Sequence, residues 1–342
     1  MAASGGKVLQ LGNIEHAHDT WDAISSMADI VVPKSTNRAD FLSEAASGVF
    51  DGCLVAYRTF GSVSITGRID SELVSALPSS LGFICHNGAG FDQIDVPACT
   101  SRGIKVSNVP TAVDDATADT AMFLMLGALR NFSLSMHNLR QGNWRGCEQD
   151  RSLPALGHDP QGKSLGIIGM GGIGRNMAKK ALAFGMKILY HNRTRLGEDV
   201  EGELGGAQYC DFESLLKQSD VLSLNLPLNP HTRHIISTRE LSMVKRGVVI
   251  VNTARGAVID EAALVEALDS GRVASVGLDV YENEPDVHPG LLANHRALLV
   301  PHMGTWTVET EAKMEEWTMA NVQAAILDGC LKSIVPEQKG LD

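Results

Sequence analysis

The sequence predicts an α/β protein of parallel sheets with crossover helices, divided into two domains. Three observations point there. Short apolar runs alternate with longer helical patterns along nearly the whole chain, as strand–helix–strand units do. The 342 residues are more than one hydrophobic core ordinarily serves. A glycine-rich stretch, GIIGMGGIGRN from Gly166 to Asn176, follows one apolar run and opens a helical pattern.

Five runs, Lys7–Ile14, Ala28–Pro33, Gly52–Arg58, Leu81–Asn87 and Ile104–Pro110, are strands of a first, smaller sheet. The long apolar segment Asp114–Asn131 reads as a helix buried on most of its surface and opens the second domain. That domain takes strands at Ser164–Met170, Lys187–Tyr190, near Gln208, Val221–Leu226, Val248–Thr253 and Val273–Val280, with Ala297–His302 as a late addition. A last helix, near Glu309–Leu327, has no strand after it and most simply folds back onto the first domain. The first domain is then discontinuous, residues 1–109 and 305–342, around an inserted domain of residues 110–304.

A formal charge of −11, from 29 Lys and Arg against 40 Asp and Glu, argues against a nucleic-acid partner. No apolar run approaches the roughly 18 residues of a membrane span. Cys53, Cys85, Cys99, Cys147, Cys210 and Cys330 form neither a CxxC pair nor a zinc spacing, and the N-terminal residues lack a signal-peptide pattern. The expectation is a cytoplasmic protein with reduced thiols and no metal site.

The glycines have separate tasks. Gly169 permits a tight turn, Gly171 lets backbone approach a pyrophosphate, and Gly174 allows close helix–strand contact, while the helix N-terminus offers N–H groups to the anion. A competing phosphate motif, GHDPQGKS from Gly157 to Ser164, feeds into a strand where a P-loop would open a helix, and is set aside. After the glycine turn, the second strand should end in a carboxylate that holds the adenosine ribose, but His191 stands there, followed by Asn192, Arg193, Thr194 and Arg195. An acid would repel a 2′-phosphate; arginines would bind one with roughly 1.5–3 kcal/mol each. The cofactor expected is therefore NADP, with NADPH preferred and NAD possible.

Three further segments place polar residues just beyond strand ends, where open α/β sheets bind ligands: VNTARGAVIDEAAL, VGLDVYENEP and VPHMGTW. Arg255, Glu284 and His302 are their candidate catalytic residues. With NGAGFDQID (Asn87–Asp95), TADTA (Thr117–Ala121) and the glycine turn, these motifs resemble the D-isomer-specific 2-hydroxyacid dehydrogenases over essentially the whole chain. The resemblance implies two Rossmann-like domains, a flavodoxin-like substrate domain and an inserted dinucleotide-binding domain, working across a cleft with hinges near Val109 and Gly304.

It also implies roles. Arg255 would clamp the substrate carboxylate and carbonyl oxygen, with backbone around Gly88, Ala89 and Gly90 holding the other carboxylate oxygen. His302 would donate a proton to the keto oxygen, and Glu284 would orient it. Cofactor contacts would come from Thr117, Gly169, Gly171, Gly172, Ile173, the Asn192–Arg195 segment, Leu226, Pro227, Thr253, Ala254, Asp279, His302 and Gly304. A homodimer through the cofactor domain, involving the Thr117–Arg130 helix, is implied as well. The NRTR ending resembles glyoxylate and hydroxypyruvate reductases, so the substrate expected is a small 2-keto acid. Should Trp306 line the pocket as an aromatic wall, with Trp144 in a neighbouring loop, bulkier keto acids of the D-mandelate dehydrogenase type become the alternative. A dinucleotide-sensing corepressor is the non-catalytic alternative.

Overall fold

The computed structural model describes residues 6–146, 153 and 155–340, so that Cys147 lies outside the described residues. Two compact units form: Met1–Val113 with Trp306–Asp342, and Asp114–Thr305.

In the first unit, strands β1 (Lys7–Leu11), β2 (Asp29–Val31), β3 (Cys53–Thr59), β4 (Phe83–Asn87) and β5 (Lys105–Ser107) make a parallel sheet ordered β2-β1-β3-β4-β5, the flavodoxin-like order. Because alternate residues of a strand face opposite ways, the sheet is apolar on both sides. Val8, Val55, Tyr57 and Cys85 pack on Trp21 and on Met319, Val322 and Ala325 of the terminal helix Val308–Asp328. Leu9, Ala56, Ile84 and Val106 pack on Phe41, Phe50 and Leu73. The terminal helix is also held by charge. The Glu315 carboxylate accepts from the N–H groups of Glu15, His16 and Ala17 at 2.8–2.9 Å, at the entrance to helix His18–Ser25 where an anion is favoured.

In the second unit, β6 (Ser164–Ile168), β7 (Lys187–His191), β8 (Gln208–Tyr209), β9 (Val221–Leu224), β10 (Val248–Asn252), β11 (Val273–Leu278) and β12 (Ala297–Leu299) are parallel in the order β12-β11-β10-β9-β6-β7-β8. This is the doubly wound dinucleotide-binding order with one added strand. Its chain direction of travel reverses between β6 and β9, which opens a crevice at the carboxyl ends of those strands. Helix Asp114–Leu129 buries Ala118, Ala121, Leu124, Met125 and Ala128 against this sheet, while its exposed Asp115 and Asp119 pair with Lys180 of the glycine-turn helix.

Several strands stop short of their apolar runs. Lys7–Ile14 contracts to Lys7–Leu11 because Gly12 turns the chain at φ +124°. Ile104–Pro110 keeps only Lys105–Ser107, and Ala297–His302 only Ala297–Leu299. The shed residues leave the ladder because their backbone groups are bonded in loops: Asn108 N–H donates to Ser333 O, and His302 N–H to Asp279 O. Apolar character continues past the point where ladder pairing ends.

Candidate active site

The glycine turn sits at the strand-order reversal. Gly169 lies at φ +96°, and a Cβ there would stand 2.5 Å from the Asn225 carbonyl oxygen that follows β9. A Cβ on Gly174 would stand 2.5 Å from Gly169 O, so helix Gly172–Ala183 reaches its strand only with glycine there. Among the described residues, nothing lies within 4 Å of a Cβ position at Gly171, and no side chain caps the helix. Open space thus faces unclaimed N–H groups, which suits a diphosphate. Thr253 Oγ1 and Asn225 Oδ1, at the ends of neighbouring strands, are buried without a hydrogen-bond partner among the described residues. Orphaned polar atoms beside an open glycine turn fit a polar ligand such as a dinucleotide.

The end of β7 is organised more firmly than a row of basic residues suggests. Asn192 accepts from Met170 N–H at 2.7 Å, pinning this strand end to the glycine turn. Arg195 is already committed: Nε and Nη2 donate to Glu201 at 2.9 and 2.7 Å, while Tyr190 Oη donates to the same carboxylate at 2.6 Å. These bonds hold the Glu201 carboxyl down at about 2. Arg193 is exposed and has no such partner among the described residues, and neighbouring Thr194 is exposed too. His191, in the place of the usual acid, donates from Nδ1 to Cys210 O at 3.0 Å and stacks on Tyr209.

The three catalytic candidates gather at the carboxyl ends of β10, β11 and β12. His302 Nδ1 lies 2.8 Å from Glu284 Oε2, and Glu284 Oε1 accepts from Tyr281 N–H at 2.9 Å. Burial alone would push the Glu284 carboxyl up. The His302 hydrogen bond and charge, the Tyr281 N–H and nearby Arg255 outweigh it and hold the group below its ordinary value, so Glu284 is an anion. His302 sits at φ +55°, a conformation costing a residue with a side chain about 1 kcal/mol or more. The buried Asp279 keeps it there by accepting from the N–H groups of Met303 and Gly304. Burial raises the Asp279 carboxyl, and those two N–H groups oppose the rise. Thr117 packs beside Gly304, 3.3 Å from its Cβ position. Leu226 and Pro227 follow the end of β9, and Ile173 lies in the first turn of the glycine helix.

Arg255 is set by residues that the motif reading passed over. Asn252 accepts from Ala254 N–H at 3.0 Å and donates to Arg255 O at 2.9 Å, fixing the turn that carries the guanidinium. Gly256 faces the Tyr281 and Glu282 backbone so closely that a Cβ would collide, which draws the Arg255 turn against the Glu284 loop. An asparagine at the strand end and a glycine after the arginine were the available signals, but their targets are distant in sequence.

In the first unit, Gly88, Ala89 and Gly90 form a turn whose three carbonyls are all engaged. Val109 N–H donates to Gly88 O at 2.9 Å, Asn108 Nδ2 to Ala89 O at 2.7 Å, and His86 Nε2 lies 3.0 Å from Gly90 O. Among the described residues, the Ala89 and Gly90 N–H groups have no acceptor. Both donors belong to peptide units anchored through their carbonyls, which makes the turn a nest for an anion. Asn108 is another residue the motif reading passed over. Trp306 is 69% exposed in this unit and Trp144 73% exposed in the other, so neither is a packing residue of its own unit.

Asp114 was not anticipated either. Its carboxylate abuts Gly172, where any Cβ would collide with it, and burial pushes its pKa up to about 6. A carboxyl raised on folding favours the folded state below its unfolded pKa, and that advantage is lost as pH rises through about 6. Asp114→Asn is therefore expected to raise Tm by about 2–4 °C at pH 8, from roughly 1 kcal/mol after allowance for partial exposure, with no gain at pH 4. A Tm difference of equal size at both pH values would show that the carboxyl charge is not its source.

Fold and site together define a dinucleotide-dependent α/β oxidoreductase. The family model "D-isomer specific 2-hydroxyacid dehydrogenase, NAD binding domain" matches residues 122–304. The chain is 52% identical to 4-methyl-2-oxopentanoate reductase A of Aspergillus oryzae over 97% of this chain and 98% of that one. It is 46% identical to glyoxylate reductase 1 of Saccharomyces cerevisiae, covering 98% and 96%. Among solved structures, a glyoxylate reductase from Paecilomyes thermophila superposes with a TM-score of 0.93 at 53% identity, covering 98% of this chain and all of that one. Holo D-mandelate dehydrogenase of Rhodotorula graminis gives 0.92 at 31%, covering 98% of both. An NADPH-dependent glyoxylate/hydroxypyruvate reductase of Sinorhizobium meliloti, in complex with NADP and malonate, gives 0.82 at 29%, covering 98% of both. The chain belongs to the D-isomer specific 2-hydroxyacid dehydrogenase family.

Proposed function

We propose that this dehydrogenase works as an NADPH-preferring reductase of small 2-keto acids, glyoxylate and hydroxypyruvate foremost, yielding the D-2-hydroxy acid. The carrying observation is the 2.8 Å contact of His302 with an ionised Glu284 beside Arg255. A bound reduced nicotinamide supplies hydride to the carbonyl carbon. His302, with Nδ1–H held by Glu284, donates its Nε2 proton to the carbonyl oxygen as that oxygen gains charge. Arg255 pairs with the carboxylate and carbonyl oxygen through its planar fork, and the Ala89 and Gly90 N–H groups receive the other carboxylate oxygen. The relatives named for glyoxylate support the small substrate. An exposed Trp306 and the relative named for 4-methyl-2-oxopentanoate support extension to bulkier keto acids. A steady-state panel of glyoxylate, hydroxypyruvate, 4-methyl-2-oxopentanoate and phenylglyoxylate with each coenzyme tests both readings. Highest kcat/KM on phenylglyoxylate would replace the first by the second.

The preference for NADPH rests on the missing ribose acid and on Arg193. With Arg195 tied to Glu201, Arg193 is the cation of that loop left for a 2′-phosphate. Arg193→Ala is expected to lower the NADPH to NADH ratio of kcat/KM by about tenfold, one charge-assisted hydrogen bond. An unchanged ratio, or a wild-type preference for NADH, would sink the assignment. The reading includes a cytoplasmic homodimer. The five described cysteines are unpaired, as in a reducing compartment, and Phe123, Phe132, Met136 and Leu139 expose apolar surface on the second unit. A monomer mass by light scattering would remove the dimer.

A further inference from the structure

Beneath the Gly88–Gly90 turn lies a buried cation that the catalytic scheme does not use. Arg58, at the end of β3, is fully buried. Its Nη1 lies 3.0 Å from His86 Nδ1 and its Nη2 donates to Gln93 Oε1 at 2.7 Å. Among the described residues, its Nε is buried without a hydrogen-bond partner and no carboxylate lies within ion-pairing distance. A guanidinium placed among an imidazole, an amide and apolar side chains is costly, because a buried charge is ordinarily paired with an opposite one. Burial pushes its pKa down to about 10, with the charge of Asp92 opposing, so it stays protonated at neutral pH.

The hydrogen bonds fix the imidazole's tautomer from both ends. Arginine only donates, so His86 Nδ1 is an acceptor; a carbonyl only accepts, so His86 Nε2–H donates to Gly90 O at 3.0 Å. His86 is thus a neutral relay between a buried positive charge and the turn. The turn lies directly on that ring, since a Cβ at Gly88 would stand 2.6 Å from His86 Nε2.

We propose that Arg58 is a positioning residue for the anionic end of the substrate: acting through His86, it holds the Gly88–Gly90 turn in its nest conformation and supplies the positive potential that the turn's two N–H groups lack. The missing counter-ion of Arg58 is then the substrate's carboxylate. This inference rests on the reading that the turn receives that carboxylate.

Charge and geometry are separable by experiment. Arg58→Gln is expected to raise KM for glyoxylate at least tenfold with kcat within about threefold and with NADPH affinity, read by nucleotide fluorescence, unchanged. Arg58→Lys should recover most of the loss, and the uncharged ethyl ester of glyoxylate should show no change of KM in either variant. Equal KM for Gln and Lys variants, or an ester as sensitive as the acid, would overturn the role of the charge. Should Arg58→Gln fail to fold, His86→Ala provides the second arm: it breaks the link to Gly90 O and must raise KM for the acid in the same way, an unaltered KM overturning the proposal. Ala89→Pro, which removes one of the two N–H donors, tests the underlying reading. If Ala89→Pro raises KM and Arg58→Gln does not, the turn binds the carboxylate and the inference about Arg58 fails. If Ala89→Pro leaves KM for the acid unaltered, the turn is not the carboxylate site and both fall.

Discussion

Replacing His302 by alanine is expected to lower kcat for 2-keto acid reduction by about 10²–10⁴-fold, the usual contribution of a positioned general acid. On the proposed mechanism the substitution removes the proton donor, and it leaves in place the glycine turn, the Asn192 bond to Met170 N–H and the Asp279 bond to Gly304 N–H. NADPH should therefore still bind, measured by fluorescence titration. Alanine also tolerates φ +55° no better than histidine does, so the Asp279 clamp must hold the same strained loop. Wild-type kcat in this variant would remove His302 from proton transfer. Loss of NADPH binding together with kcat would instead mark it as part of the loop's architecture.

Arg255→Gln is the second large effect. Removing a charged partner from a half-buried, hydrogen-bonded site costs about 2–5 kcal/mol, a loss of roughly 30-fold to several thousand-fold in kcat/KM. On the proposed mechanism the loss should divide between KM and kcat, because the guanidinium would meet both the carboxylate and the carbonyl oxygen whose charge grows during reaction. Lysine should rescue poorly: an ammonium lacks the planar fork, and Asn252 positions the Arg255 backbone for a side chain of that shape. An Arg255→Lys enzyme with wild-type kcat/KM would show that charge alone is needed there.

The elements were readable in the sequence where local chemistry alone decides them. Ile188–Tyr190 and Val248–Val251 are unbroken apolar runs because parallel strands are covered on both faces, and helix Asp114–Leu129 is largely apolar because most of its surface is buried, with Asp115, Asp119 and Phe123 left exposed. Their C-terminal limits were less readable, because a strand ends where its neighbour's pairing ends. Of the site, Arg255, Glu284 and His302 stood out as polar residues past strand ends. Asn252, Asn108, Asp114 and Arg58 did not, since each is an ordinary residue type whose importance lies in a partner far along the chain. The Asn192–Arg195 segment shows the same division: its basic character was visible, while the capture of Arg195 by Glu201 and of Met170 N–H by Asn192 was not.

By itself, the order of residues determined the two parallel sheets, the glycine turn at the end of β6, the absence of a ribose acid and the identity of the catalytic candidates. Each depends on periodicity, backbone freedom or charge at positions close together in the chain. Among the described residues, tertiary structure alone decided that Arg195 is captured by Glu201 while Arg193 has no such partner, that the carbonyls of the Gly88–Gly90 turn are engaged while its Ala89 and Gly90 N–H groups are not, and that a buried cation with no ion-pair partner lies behind it. Those properties are set by the pairing of groups brought together from distant segments, and a hydrogen bond or ion pair has no energy until both of its partners are in place.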